Sequence, residues 1–146
     1  MDSLTPKRLI LVVENNPDHQ RLIAAAFQDS PVQHEIVAIA DGEQALDFLY
    51  RRGRFATATR PDLILLDLDL PSKAGPDLLA EIKAQPQLKR IPIVILTLRD
   101  RPEEVLRAYT LQGNCYVLKS ADFDQLFQII KRIEEFWLGV VTLPLE

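Results

Sequence analysis

At 146 residues, 47% of them hydrophobic and 26% charged, the chain has the composition of one globular domain over 1–146, with no room for a second. A net charge of −4 without a basic stripe argues against nucleic-acid or anionic-membrane binding, and no apolar run approaches membrane-spanning length. The lone cysteine, Cys115, sits in an apolar run as a small buried residue, excludes a disulfide framework or thiolate metal site, and points to a cytoplasmic location.

Apolar runs alternate with helical periodicity five times. The first strand spans about Arg8 to Val13; Asn16 and Pro17 then cap and open a helix burying Leu22, Ile23, Ala26 and Phe27. The second strand runs from about Glu35 to Ile39, and Asp41 caps a helix with Ala45, Leu46 and Leu49 on its inner face. Arg51 to Pro61 reads as a surface loop. The run from Leu63 to Leu66 is apolar enough for a strand buried on both faces and stops at Asp67. Pro76 opens a helix carrying Leu78, Leu79 and Ile82. A fourth strand covers Ile91 to Leu96, with Asp100 and Pro102 capping and starting a helix through Leu106 and Tyr109. The fifth strand is Cys115 to Leu118, followed by a long helix from about Ala121 to Leu138. The core thus occupies about 8–138, with an apolar tail over 139–146.

Five β-α units predict an α/β fold: a doubly wound, five-stranded parallel sheet with helices on both faces. In the flavodoxin-like order 2-1-3-4-5, the loop after Val13 lies beside Asp67, and the fourth and fifth strands deliver Thr97 and Lys119 to the same edge. Glu14, Asn15, Asp67, Thr97 and Lys119 therefore converge although they are far apart in sequence.

A carboxylate flanked by an acidic group, a hydroxyl and an ammonium is an arrangement for making an aspartyl phosphate. The carboxylate attacks phosphorus once the repulsion between two anions is cancelled. Mg²⁺ suits the donors, because it takes hard oxygen ligands and keeps several waters; Glu14, Asp67, a backbone carbonyl near Asp69 and the Asn15 amide oxygen supply them. Thr97 and Lys119 then bind phosphoryl oxygens.

The ordered set VVEN, LLDLDLP, ILT and VLKS resembles the receiver domains of two-component response regulators, over about Leu9 to Trp137. The resemblance implies that Asp67 accepts a phosphoryl group from a sensor histidine kinase in a phosphorelay, that Thr97 and Lys119 read it out, and that Tyr116 is the switch aromatic. It implies a phosphoacceptor with at most autophosphorylation and autodephosphorylation, rather than an enzyme. GNCYVLKS and the ending FWLGVVTLPLE are similar to the stand-alone regulators paired with bacterial phytochromes, which makes a bacteriophytochrome the expected partner.

Three positions depart from the family pattern. Asn15 replaces an acidic residue and removes one charge from the metal site. Leu98 stands where a small residue is usual and is expected to lid the site. Ser120 replaces the proline after Lys119, so a cis bond there would cost about 2.5 to 4 kcal/mol. Asp69 and Arg99 carry opposite charges near the mouth of the site, and their pairing with Leu98 above would slow hydrolysis. Two rival readings remain: a pseudo-receiver that binds partners unphosphorylated, motivated by Asn15, and a haloacid-dehalogenase-like phosphatase, motivated by the DLD motif. Chain order disfavours the phosphatase, whose metal-binding acids follow the nucleophile.

The last helix carries more apolar residues than one face needs. Leu126, Ile130, Ile133 and Trp137 make a core stripe, and Phe123, Phe127, Ile129 and Phe136 widen it. A homodimer is expected through Phe123, Phe127, Phe136 and Trp137. The tail, with Val140, Val141, Leu143 and Leu145, is expected as an extended arm lying on a partner or back on its own domain.

Overall fold

Alternating side chains on five parallel strands divide the core into two layers, one on each face of the sheet. A computed structural model of the chain describes residues 7–98 and 100–144; the readings placed on Arg99 and Leu145 fall outside them. The elements are β1 (Arg8–Val13), α1 (Pro17–Phe27), β2 (His34–Ile39), α2 (Gly42–Tyr50), β3 (Leu63–Leu66), α3 (Gly75–Ala84), β4 (Ile93–Thr97), α4 (Pro102–Thr110), β5 (Cys115–Leu118) and α5 (Phe123–Glu134). A 3₁₀ turn, Gly53–Phe55, lies in the loop after α2. The sheet order is β2-β1-β3-β4-β5, parallel throughout, as the pattern predicts.

Leu9, Leu11, Val13, Ile64, Leu66, Ile93 and Ile95 point to the layer built with α2, α3 and Ala108 of α4. Ile10, Val12, Leu63, Leu65, Val94 and Leu96 point to the layer built with α1 and α5. Every residue of β3 is buried, which explains why its sequence reads as an unbroken apolar run.

Local chemistry sets most boundaries. The Asn16 side chain accepts from the backbone N–H groups of Asp18 and His19, with Pro17 at the first helical position. Asp41 caps α2, and Asp122 caps α5. Leu22 is only partly buried, packed on the rim of the layer. Strand β4 begins at Ile93 rather than Ile91, because the Ile91 N–H bonds the Leu88 carbonyl in a turn and Pro92 has no N–H. Helix α3 starts one residue before Pro76, at Gly75.

Three expectations toward the C-terminal end are corrected, for the cap of α4, the span of the last helix and the burial of Cys115, and the tail takes one of its two expected courses. The cap of α4 is Arg101, without a side-chain cap bond, and not Asp100; its Leu106 and Tyr109 are exposed, and only Ala108 is buried. The last helix starts at Phe123 and stays α-helical to Glu134, after which Glu135–Val140 widen into a π-helical turn. This turn leaves Phe136 exposed and Leu138 buried. The tail folds back: Leu143 is buried in the α1/α5 layer with Val141 packed beside it, so that part of the arm lies on its own domain. Cys115 is half-buried rather than sealed in the core. Among the described residues no helix is long and apolar enough to cross a membrane.

Candidate functional site

The sheet register places the site. Val13 pairs with Leu66, and the next residues continue the ladder: the Asp67 N–H bonds the Val13 carbonyl at 3.0 Å and the Glu14 N–H bonds the Ile39 carbonyl at 3.0 Å. Glu14 and Asp67 therefore emerge side by side at the carboxyl ends of β1 and β3. On the other flank, the Lys119 N–H bonds the Thr97 carbonyl at 2.8 Å, which carries the ladder of β4 and β5 one residue past Leu118.

The three side chains meet at one point. Lys119 Nζ donates to Asp67 Oδ2 at 2.5 Å and to Glu14 Oε1 at 2.6 Å, and its side chain is 2% exposed. Two buried carboxylates thus share one ammonium, which offsets part of the cost of burying them. Asp67 Oδ1 accepts from the Asp69 N–H at 2.9 Å, and Glu14 Oε2 from the Asn16 N–H at 3.1 Å, so all four carboxylate oxygens are oriented. Burial holds the Glu14 carboxyl above its ordinary range; the Lys119 bond pulls it down and the Asp67 charge pushes it up.

His19 is a fourth member that the sequence reading missed. Its Nδ1 lies 2.9 Å from Lys119 Nζ, its ring is buried, and it packs edge-on against Phe123 with centroids 5.9 Å apart. Burial, followed by the Lys119 charge, holds its protonation below the ordinary histidine range, against the pull of Asp67 and Asp18. The signal was available: His19, Ile23, Ala26 and Phe27 share the buried face of α1, and a histidine on that face two residues beyond Pro17 comes within reach of the strand ends.

The other expected residues are distributed around this centre. Thr97 is fully buried at the end of β4. Tyr116 is half-buried against the α2/α3 layer, and its N–H donates to the Tyr109 hydroxyl at 3.1 Å. Asn15 and Asp69 are exposed beside Glu14 and Asp67. Leu98 is 57% exposed, so it stands out from the site rather than packing over it. Among the described residues every peptide bond is trans, including Lys119–Ser120. Ser120 instead holds the loop by local bonds, its Oγ donating to Gln125 Oε1 at 2.8 Å and accepting from the Asp122 N–H at 3.1 Å. The loop carrying Asp67 is braced from behind, since a Cβ on Gly75 would lie 2.5 Å from Leu68 Cα and 3.0 Å from the Asp67 carbonyl oxygen. Of the expected dimer residues, Phe123 and Phe136 are each 50% exposed, whereas Phe127 and Trp137 pack partly into the α1/α5 layer.

The donor set suits a small hard cation. Among the described residues no group of three or more histidine, cysteine or acidic side chains is placed to hold a metal. Two carboxylates plus carbonyl, amide and water oxygens match Mg²⁺, which needs no all-protein cage.

The family pattern of the response regulator receiver domain matches residues 10–131. The chain belongs to this family. It is similar to Response regulator Rcp1 of Synechocystis, with 43% identity over 98% of this chain and 97% of that protein. In three dimensions it is similar to the phosphorylated cyanobacterial phytochrome response regulator RcpA, with a TM-score of 0.93 and 49% identity over 96% of this chain and 100% of that one. It is similar also to the Mn²⁺-bound form of Rcp1, with a TM-score of 0.93 and 44% identity over 96% of this chain and 100% of that one. The receiver fold and the phytochrome-regulator resemblance expected from the sequence both hold.

Proposed function

We infer that this receiver accepts a phosphoryl group on Asp67 from a sensor histidine kinase, a bacteriophytochrome. The observation that carries the reading is the buried Glu14–Lys119–Asp67 cluster at the carboxyl ends of β1, β3 and β5. An Asp67 oxygen attacks phosphorus, and the O–P bond forms as the P–N bond of the kinase phosphohistidine breaks. The departing imidazole nitrogen takes the electron pair and is then protonated. Lys119 transfers its hydrogen bond from the carboxylate to a phosphoryl oxygen, so the ammonium stays neutralised while the anion grows. Thr97, buried at the neighbouring strand end, binds a second phosphoryl oxygen, and Tyr116 follows the threonine as the switch. Mg²⁺ held by Glu14, Asp67, the Asp69 carbonyl and Asn15 would neutralise charge on the transferred group.

The pairing with a bacteriophytochrome is supported by the likeness to Rcp1 and to RcpA, named as a phytochrome response regulator. A phosphorylated state is named for RcpA and a metal-bound one for Rcp1. A cytoplasmic site of action and a homodimer joined through α5 complete the proposal.

Intact-mass measurement after incubation with acetyl phosphate and Mg²⁺ tests it. One phosphoryl group should add to the native chain and none to Asp67→Asn or Asp67→Ala, with all three folded. No addition to the native chain would favour the unphosphorylated interaction module that Asn15 suggests. Turnover of an added phosphoester would favour the phosphatase.

A further inference from the structure

The Lys119 ammonium has three N–H groups, and the cluster provides three acceptors: Glu14 Oε1, Asp67 Oδ2 and His19 Nδ1. Because an ammonium only donates, the imidazole must present an unprotonated Nδ1, with its proton on Nε2. The tautomer is thus fixed by its partner. The ring itself is fixed by burial in α1 and by its edge contact with Phe123 at the start of α5.

The three acceptors differ in what happens to them during phosphoryl transfer. Asp67 Oδ2 gives up its lysine bond when the carboxylate becomes an acyl phosphate. Glu14 is shared with the cation the site is built to hold. His19 is neutral, takes no part in the transfer and competes for neither, so its bond to Nζ can persist from free carboxylate to acyl phosphate.

We propose that His19 is a positioning residue of the phosphoryl-transfer site, its Nδ1 holding the Lys119 ammonium in register with Asp67 before and after the group is transferred. The inference rests on the reading of Asp67 as phosphoacceptor. Its consequence is that Lys119 need not be relocated by the incoming group, because one of its three bonds is independent of the reacting charges.

Two variants separate the acceptor from the packing. His19→Phe keeps a ring against Phe123 and removes the acceptor; His19→Gln keeps an acceptor oxygen. With acetyl phosphate and Mg²⁺, labelling of His19→Phe should be roughly tenfold slower, the size expected for a lost hydrogen bond to a charged group, and His19→Gln should recover most of the rate. A second readout uses the unphosphorylated protein: the ¹⁵Nζ–H signal of Lys119 should be visible, through slow proton exchange, in the native chain and in His19→Gln, and lost in His19→Phe. Native-rate labelling of His19→Phe with the signal retained would overturn the proposal. So would equal slowing in both variants, which would mark a packing role. If a variant fails to fold, the ¹⁵N shifts of His19 in the native chain decide: an unprotonated Nδ1 supports the bond and a protonated Nδ1 removes it. A native chain that takes no label at all would defeat the phosphoacceptor reading, whatever the nitrogen signals show.

Discussion

Lys119 Nζ and Asp67 Oδ2 lie 2.5 Å apart across 52 residues of sequence, with side chains 2% and 8% exposed. Such a pair is costly to break from one side, because the charge left behind stays buried. Lys119→Met leaves both Asp67 and Glu14 without their counter-charge. We expect it to lower unfolding stability by about 3 to 5 kcal/mol in urea melts near neutral pH. Asp67→Asn should cost less, since an amide oxygen still accepts from Lys119. Mg²⁺ should raise the melting point of Lys119→Met more than that of the native chain, because a cation can take over the role of the missing ammonium. Equal stability of the lysine variant and the native chain would show that the cluster is not held by this charge.

Asn15 bears on the same balance. It stands exposed beside Glu14 and contributes no charge. An additional unit charge about 4 Å from a cation is worth about 1 kcal/mol in water for each charge on the ion, and more in a partly desolvated crevice. Asn15→Asp should therefore bind Mg²⁺ at least fivefold more tightly by calorimetric titration. Equal or weaker binding in the variant would show that residue 15 lies outside the cation's reach.

The parts of this site that were legible in the sequence are those fixed by strand periodicity. The unbroken run Leu63 to Leu66 located β3, and with it Asp67; the ends of β1, β4 and β5 followed, and the doubly wound order brought Glu14, Thr97 and Lys119 alongside. Asn16, Asp41 and their helices followed from capping chemistry. What escaped depended on tertiary packing. His19 was passed over as one polar residue in a helix, although its spacing put it on the buried face. Helix α4 has normal helical periodicity but rests on α3 and β5 through little more than Ala108, so its Leu106 and Tyr109 stand exposed, which the local pattern alone does not reveal. The π-helical turn after Glu134 breaks the 3.6-residue periodicity that put Trp137 on the core stripe, and Trp137 is half-buried; Phe127, inside the regular part of α5, is half-buried because it borders the stripe of Leu126 and Ile130.

The cap of α2 gives a pH-dependent test. Asp41 accepts from the Ser72 hydroxyl at 2.7 Å and from the N–H groups of Glu43 and Gln44, and these bonds, the Ser72 one foremost, hold its carboxyl below the ordinary value of 3.8. The folded state therefore favours the ionised form. The stabilisation is complete above pH 3.8 and is lost as pH falls through the lower folded value. Asp41→Ala should cost about 1 kcal/mol near neutral pH, the usual worth of an N-cap, and the gap from the native chain should narrow in urea melts as the pH falls below 3.8. A gap that stays constant with pH would mean that the ionised carboxylate is not the stabilising form.

The C-terminal segment separates folding from assembly. Leu143 is 5% exposed within the α1/α5 layer, so deleting the chain from Val141 onward should lower stability by about 1.5 to 3 kcal/mol, the worth of one buried leucine, rather than release an arm from a partner. Phe123 and Phe136, each 50% exposed, are the apolar residues of α5 and its π-helical turn that the proposed dimer would use, whereas Phe127 packs partly into its own core. Because a two-fold interface uses each residue twice, a single charge there is felt twice. Phe136→Asp should therefore convert a dimer into a monomer in sedimentation velocity at tens of micromolar, while its urea midpoint stays at the native value. Phe127→Asp should instead destabilise the fold. A native chain that sediments as a monomer at that concentration, with and without acetyl phosphate, would exclude the dimer.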